Sequence, residues 1–331
     1  CALVIVIILM FNYGNQWLNQ MNSMLYLDKV VHIDKTRYQQ LTFTERHMGL
    51  EQENIINFYL NGRLQFSSID EHIYHDYLVA PVMAASARQD NILIIGGGDG
   101  LALRDVLKYK PKSVTLIDLD SELIDIFKHP EQHVNPRLAK QISHLNQQSL
   151  QDERVTLYRA DAFIAINELL KKKQAFDAII VDLPDPSHPD LNKLYSVNFY
   201  ARLNLLLSGD GLIAIQSTSP YHAKDSFIAI GNTLEAAKFN HVEQYHDNVP
   251  SFGEWGWTIG SKSGASPLTR LNKLTELPVA HQWLNLAILK ASFIFPNNFY
   301  QDKEDIEANI LGSHTIYQLH QKAWQDQQGL N

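Results

Sequence analysis

Two kinds of hydrophobic patterning follow one another along the chain. Between residues 24 and 70 apolar and polar positions alternate and turns recur. Residues 28–36 (DKVVHIDKT), 38–45 (YQQLTFTE) and 54–66 (NIINFYLNGRLQF) carry the spacing of strands. Asn61-Gly62, set between Phe58-Tyr59-Leu60 and Leu64, is a strong hairpin signal, because Asn-Gly suits the type I′ turn, which needs positive φ at both positions. These segments predict a small antiparallel sheet. Asp70 then stands where a helix N-cap is favoured, with Ile73, Tyr77, Leu78 and Val82 at helical spacing behind it.

From residue 91 the pattern becomes strand–helix alternation. Residues 91–95 (NILII), 113–117 (SVTLI), 155–158, 176–181 (FDAIIV) and 211–216 predict buried strands. Helical patterns at 101–109, 121–127, 162–170, 197–207 and 222–237 lie between and after them. Continuous apolar strands separated by helices imply an α/β domain built on a doubly wound, Rossmann-like parallel sheet. Residues 242–261 predict two more strands, an antiparallel finish at the sheet edge, and residues from 284 onward predict helical decoration. The expected domains are 24–69, a small β-sheet domain; 70–290, a Rossmann-like catalytic domain; and 291–331, a C-terminal helical tail.

The first eleven residues (CALVIVIILMF) fit neither pattern. They are too few to span a bilayer, which takes about 20. No basic segment precedes them and no small-residue cleavage site follows, as a signal peptide would require. A buried strand or helix is one reading. The reading preferred here is the end of a transmembrane helix of a longer protein, with residues 12–23 (NYGNQWLNQMNS) as its polar exit. The catalytic part is then expected on the cytoplasmic side of the cell membrane.

Composition narrows the chemistry. Of 331 residues 45% are hydrophobic and 19% charged, the balance of a folded globular protein. A single cysteine excludes a disulfide framework, and no Cys/His spacing suggests a metal. A formal charge of −8 argues against nucleic acid, which asks for a basic face, and suits a cationic ligand better.

The candidate chemistry sits at the strand ends. Gly96-Gly97-Gly98-Asp99-Gly100 follows the first strand of the alternating region and opens a helix. Such a loop can hold a dinucleotide phosphate. Here the spacing is not that of a phosphate loop, and the Asp99 carboxylate would repel a pyrophosphate, so a cationic group fits better; Asp99 as a helix cap is the plainer alternative. Asp118 lies about 20 residues beyond the glycines, where an acid accepts from ribose hydroxyls. Asp120 reads as the cap of the next helix. Asp161 ends the third strand, followed by Ala162, and either capping or adenine binding suits it. Asp182 and Asp185 (VDLPDPSHP) end the fourth. Asp99, Asp118, Asp161, Asp182 and Asp185 are therefore expected around one cleft at the carboxyl ends of the strands, a cage for positive charge.

An ordered set of short motifs resembles the spermidine synthases, the polyamine aminopropyltransferases. These are Tyr38-Gln39, LNGRLQ at 60–65, Asp70-Glu71 with Tyr74-His75, the GGGDG loop, Asp118-x-Asp120, Asp161-Ala162, Asp182-x-x-Asp185-Pro186, Leu194-Tyr195 with Phe199-Tyr200, and Gly253-x-Trp255-Gly256. The resemblance covers roughly residues 38–261, and the apolar stub suggests the branch with an N-terminal membrane-embedded domain. It implies a class I methyltransferase-type sheet. It also implies decarboxylated S-adenosylmethionine as co-substrate, no prosthetic group, a diamine such as putrescine as acceptor, and a homo-oligomer, dimer or tetramer. Position by position, Asp118 with Gln39 would hold the ribose and Asp161 with Ala162 the adenine. Gly96, Gly97 and Gly98 would approach the co-substrate, and Asp99 and Gln65 would line its aminopropyl end. Tyr74 and Asp182 would orient and deprotonate the attacking amine, Asp185 would anchor its far end, His75 would shape the pocket through its backbone, and Trp255 would form part of an apolar wall.

The sequence departs from the family pattern in Leu183-Pro184, between the two acids, and in Pro250-Ser251-Phe252, where the family commonly has Tyr-Pro-Ser. That leaves the diamine's identity open. The alternatives are an S-adenosylmethionine-dependent methyltransferase on the same fold, whose methionine carboxylate Asp99 would oppose, and a polyamine-binding sensor or transport accessory without turnover. Trp255 and Trp257 could also be core packing, and Tyr200 reads as such.

Overall fold

The structure is a computed structural model that describes residues 24–49 and 53–327. The expected membrane-proximal stretch, residues 1–23, lies outside these. Among the described residues no helix is long and apolar enough to cross a membrane. The chain divides into two compact units between Ile69 and Asp70.

The first unit is a four-stranded antiparallel meander: β1 (Lys29–Lys35), β2 (Gln40–Arg46), β3 (Ile55–Leu60) and β4 (Arg63–Ser67), in that spatial order. Asn61 and Gly62 have φ of 49° and 80°, the left-handed pair that closes the β3–β4 hairpin. Phe43, Phe58 and Phe66, one from each of β2, β3 and β4, pack as tilted rings with centroids 4.7 and 5.4 Å apart.

The second unit begins with α1 (Glu71–Ala85) and continues as β5 (Asn91–Gly96), α2 (Leu101–Leu107), β6 (Ser113–Asp118) and α3 (Ser121–Lys128). Two helices follow, α4 (Pro130–His133) and α5 (Pro136–Asn146), then β7 (Val155–Arg159), α6 (Ala162–Lys171), β8 (Phe176–Asp182), α7 (Val197–Leu206), β9 (Leu207–Gln216) and α8 (Lys224–Ala236). The seven-stranded sheet has the order β10-β11-β9-β8-β5-β6-β7, with β5 to β9 parallel. The hairpin β10 (His241–Val249) and β11 (Gly253–Ser261) completes one edge antiparallel to β9. The fold is thus α/β, with a small N-terminal antiparallel sheet and a Rossmann-like mixed sheet. The chain leaves β5 in one direction for β6 and β7 and in the other for β8 and β9. The crevice outside the carboxyl ends of β5 and β8 is therefore the topological switch point where such sheets bind ligands.

Asp70 differs from expectation. It occupies the cap position of α1, but its side chain makes no cap hydrogen bond. Its carboxylate instead accepts from Ser251 N–H at 2.6 Å and Ser251 Oγ at 2.9 Å, tying the start of α1 to the β10–β11 turn. The C-terminal segment also exceeds decoration. It carries α9 (Pro267–Asn272), α10 (Leu286–Ala291) and α11 (Thr315–Gln327), and Ile316 of α11 is fully buried in the core cluster with Leu194, Phe199 and Ile230. Tyr200 and Trp257 are core residues, both fully buried.

Candidate active site

The glycine loop has its form because two strand ends press against it. Gly96 pairs with Asp182 in the β5–β8 register, and a Cβ at Gly96 would lie 2.0 Å from Asp182 O, at a φ of +82°. A Cβ at Gly98 would meet Asp118 Oδ2 at 2.8 Å. Glycine is required at Gly96 by the backbone of Asp182 and at Gly98 by the side chains of Asp118 and Leu123, before any ligand is considered. Gly97 lies between them, its would-be Cβ 3.2 Å from Asp182 Oδ2.

The acids divide into those already satisfied and those that are not. Asp118 at the end of β6 accepts from Gly98 N–H at 3.0 Å and Asp120 N–H at 2.9 Å. Burial raises its pKa to about 6, although those two N–H groups pull the other way. Asp120 caps α3 through Leu123 N–H. Asp161 caps α6 through Phe163 N–H at 2.8 Å, next to Ala162, and is paired with Lys193 Nζ at 2.6 Å. Of the five acids in the expected cage, this one has a cation of its own. Lys193, 32 positions further along, carried no spacing signal that would have found it.

Asp99 and Asp182 are different. Asp99 accepts a short-range bond from Leu101 N–H, at 2.9 Å, and so supports the first turn of α2. Burial and the charge of Asp182 push its pKa up to about 6, against the opposing charge of His75. Burial also raises Asp182, offset in part by His75 and by Tyr74. The Tyr74 hydroxyl donates to Asp182 Oδ1 at 2.7 Å, and burial together with the Asp182 charge keeps that hydroxyl protonated far above its ordinary range. Two carboxylates whose charge burial disfavours form a site that gains free energy when a cation arrives.

Beneath them lies a buried network that sequence reasoning missed. His75 Nδ1 is 2.8 Å from Glu71 Oε2, and Arg104 donates to both Glu71 oxygens at 2.7 and 3.1 Å and also to Asp105. Burial penalises the His75 charge, but the hydrogen bond to Glu71 and its charge outweigh that and hold the pKa at about 9. Glu71, by the same partners and against burial, is held down to about 2. His75 thus acts through its ring, as a fixed positive charge beside Asp99 and Asp182. The (i, i+4) spacing of Glu71 and His75 on one helix was the available signal.

The wall of the crevice is aromatic. Tyr74 packs edge-on to Phe252 and Trp255, with centroids 6.1 and 6.5 Å away, and those two lie 5.1 Å apart. Trp255 Nε1 is buried without a partner. The turn after β8 is pinned by Tyr195, whose hydroxyl donates to Pro184 O, and by Gln216 Nε2, which reaches Leu183 O at 2.8 Å and Asp185 Oδ1 at 3.4 Å. Asp182 and Asp185 are therefore held at separate points of one turn. Gln39, in the β1–β2 connection, and Gln65, on β4, belong to the first unit, where Gln65 Nε2 donates to Arg63 O and Leu64 O.

A family model described as spermine/spermidine synthase domain matches residues 71–273, the stretch that holds the glycine loop, the strand-end acids and the aromatic wall. The chain belongs to the spermine/spermidine synthase family. Among relatives of this family, a polyamine aminopropyltransferase of Shewanella oneidensis is 52% identical over 98% of this chain, and one of Oceanobacillus iheyensis is 34% identical over 95%. The chain spans 57% of the length of each, a little over half. The fold matches a crystal structure of spermidine synthase in complex with the transition state analogue AdoDATO, with a TM-score of 0.71 and 23% identity over 83% of this chain and 88% of that one. Spermidine synthase from Thermotoga maritima matches with a TM-score of 0.68 and 22% identity, over 84% and 88%.

Proposed function

We propose that this protein transfers the aminopropyl group of decarboxylated S-adenosylmethionine to a diamine such as putrescine, giving spermidine and 5'-methylthioadenosine. The observation that supports this most is the Tyr74–Asp182 hydrogen bond of 2.7 Å at the switch point, beside the under-compensated carboxylate of Asp99. The sulfonium activates its own carbon, so the protein must align an amine with that carbon and free its lone pair. An alkylammonium titrates near the lysine value, about 10.4, and arrives protonated. Asp182 takes that proton, and Tyr74 holds the carboxylate in orientation. The nitrogen lone pair then attacks the aminopropyl carbon, the C–S bond breaks, and its electron pair stays on sulfur as the neutral thioether. Asp99 faces the aminopropyl ammonium, Asp118 holds the ribose, and Asp161 with Ala162 holds the adenine. The names of the two relatives and the ordered motifs support the same reading.

Membrane attachment through the apolar residues 1–11, a cytoplasmic catalytic part and a dimeric or tetrameric state belong to the same proposal. The unbroken apolar run supports the first, and fractionation and light scattering of the full-length protein test all three. The function itself is tested by incubating the protein with decarboxylated S-adenosylmethionine and putrescine and weighing the products by mass spectrometry. Equimolar spermidine and 5'-methylthioadenosine are expected. A methylated product from S-adenosylmethionine, or no product, contradicts the proposal.

A further inference from the structure

Lys193 belongs to the 3₁₀ segment Pro189–Tyr195, just beyond the turn that carries Asp185. The segment is anchored at its root, because Asn309 Nδ2 donates to Asn192 O at 3.1 Å and to Tyr195 O at 3.0 Å. From there Lys193 Nζ donates to Asp161 Oδ2 at 2.6 Å, while Phe163 N–H donates to Oδ1 at 2.8 Å. Asp161 follows Ala160, whose N–H donates to Asp118 O at 3.0 Å, so the two acids stand at neighbouring strand ends. The side chains of Lys193 and Asp161 are 38% and 25% exposed. An ion pair this open to water adds little to stability. It becomes strong only when something covers it and drives the water out.

The acids of the crevice sort by what each is matched with. Asp99 and Asp182 accept from neutral donors, Leu101 N–H and the Tyr74 hydroxyl, and in the proposed reaction they meet ammonium groups that bring their own charge. Adenine and ribose bring none. Asp118, assigned to the ribose, is compensated by two backbone N–H groups. Asp161, assigned to the adenine, has one N–H and Lys193. A carboxylate covered by a neutral base loses its water and gains no counter-charge, which is costly unless the protein supplies the cation.

We propose that Lys193 is a positioning residue for the co-substrate: it supplies the counter-charge that lets Asp161 remain an ionised acceptor for the exocyclic amine once adenine covers it. The inference rests on the aminopropyl-transfer reading above for the placement of adenine at Asp161. Each oxygen of Asp161 already takes one donor and keeps a second acceptor position for that amine. Lys193 acts through Asp161, so its contribution appears on binding and not on folding.

The test is calorimetry of the full-length protein with 5'-methylthioadenosine, which carries the same adenine and needs no turnover. Lys193→Met, which removes the charge, should weaken binding by about tenfold or more, the size of one hydrogen bond to a charged group. The melting temperature of the free protein should stay near wild type, and Lys193→Arg should recover most of the affinity. Asp161→Asn keeps an acceptor oxygen and needs no counter-charge, so adding it to Lys193→Met should tighten binding again, to the level of Asp161→Asn alone. In turnover, Lys193→Met should raise the KM of decarboxylated S-adenosylmethionine and leave the diamine's KM and kcat near wild type. Wild-type affinity in Lys193→Met would overturn the inference. So would a loss that is undiminished in the Asp161→Asn background, the mark of a structural role. If the wild type binds 5'-methylthioadenosine but transfers no aminopropyl group, the functional proposal fails and the same cycle of variants still decides on Lys193. If the wild type does not bind it, both are overturned.

Discussion

The Tyr74 hydroxyl and Asp182 Oδ1, 2.7 Å apart, join two residues separated by 108 positions, one on α1 and the other at the end of β8. Neither group titrates in its ordinary range. Burial keeps the phenol protonated and discourages the carboxylate's charge, so the hydrogen bond is a fixed donor supporting a reluctant anion. Tyr74→Phe keeps the ring against Phe252 and Trp255 and removes only that donor. The variant should lower kcat by about 10- to 100-fold, the loss of one hydrogen bond to a charged group, with little change in co-substrate KM. Parallel losses in both parameters would instead mark Tyr74 as a binding residue.

Under the proposed function, Asp99 faces the substituent that separates decarboxylated S-adenosylmethionine from its parent. The decarboxylated compound should bind much the more tightly, and Asp99→Asn should weaken it selectively, by about 1.5–3 kcal/mol. With its pKa at about 6, Asp99 is partly protonated in mildly acidic solution. A bound cation favours the ionised form, so affinity should rise as pH increases through about 6, with a proton released on binding below that point. Calorimetry in buffers of different ionisation enthalpy reads both effects.

The Glu71–His75–Arg104 network predicts an alkaline limit to stability. The folded pKa of His75, about 9, lies above its ordinary 6.5. Its stabilising contribution is therefore whole below about pH 6.5 and is lost as pH rises through about 9. The melting temperature should fall across that window in the wild type. In His75→Gln the melting temperature should start lower and lack that fall.

Much of this was legible in the sequence because the signals are local. Alternating strands and helices, the Asn61-Gly62 turn and an acid at each strand end follow from period, turn chemistry and the rule that ligands sit beyond carboxyl strand ends. What stayed hidden depends on distant partners. Lys193 neutralises Asp161, Arg104 completes the His75 network, and His320 reaches Asp185 from a helix that looked peripheral, each through contacts no local pattern encodes. Asp70 is the reverse case, a residue with the right identity and position for a cap whose carboxylate Ser251 takes instead. The helix Pro136–Asn146 was a readable signal left unused: Asn135 caps it and Pro136 begins it.

The central claim is that Asp182 removes a proton from the attacking amine of a diamine. Single-turnover transfer from decarboxylated S-adenosylmethionine to putrescine, compared between wild type and Asp182→Asn across pH, tests it most directly. The substitution keeps the shape and removes the base, so the rate should fall by about 10²–10⁴ at neutral pH. Raising the pH should restore part of it, since more of the amine is then neutral without help. A variant that keeps the wild-type rate, or one whose loss is the same at every pH, would contradict the account.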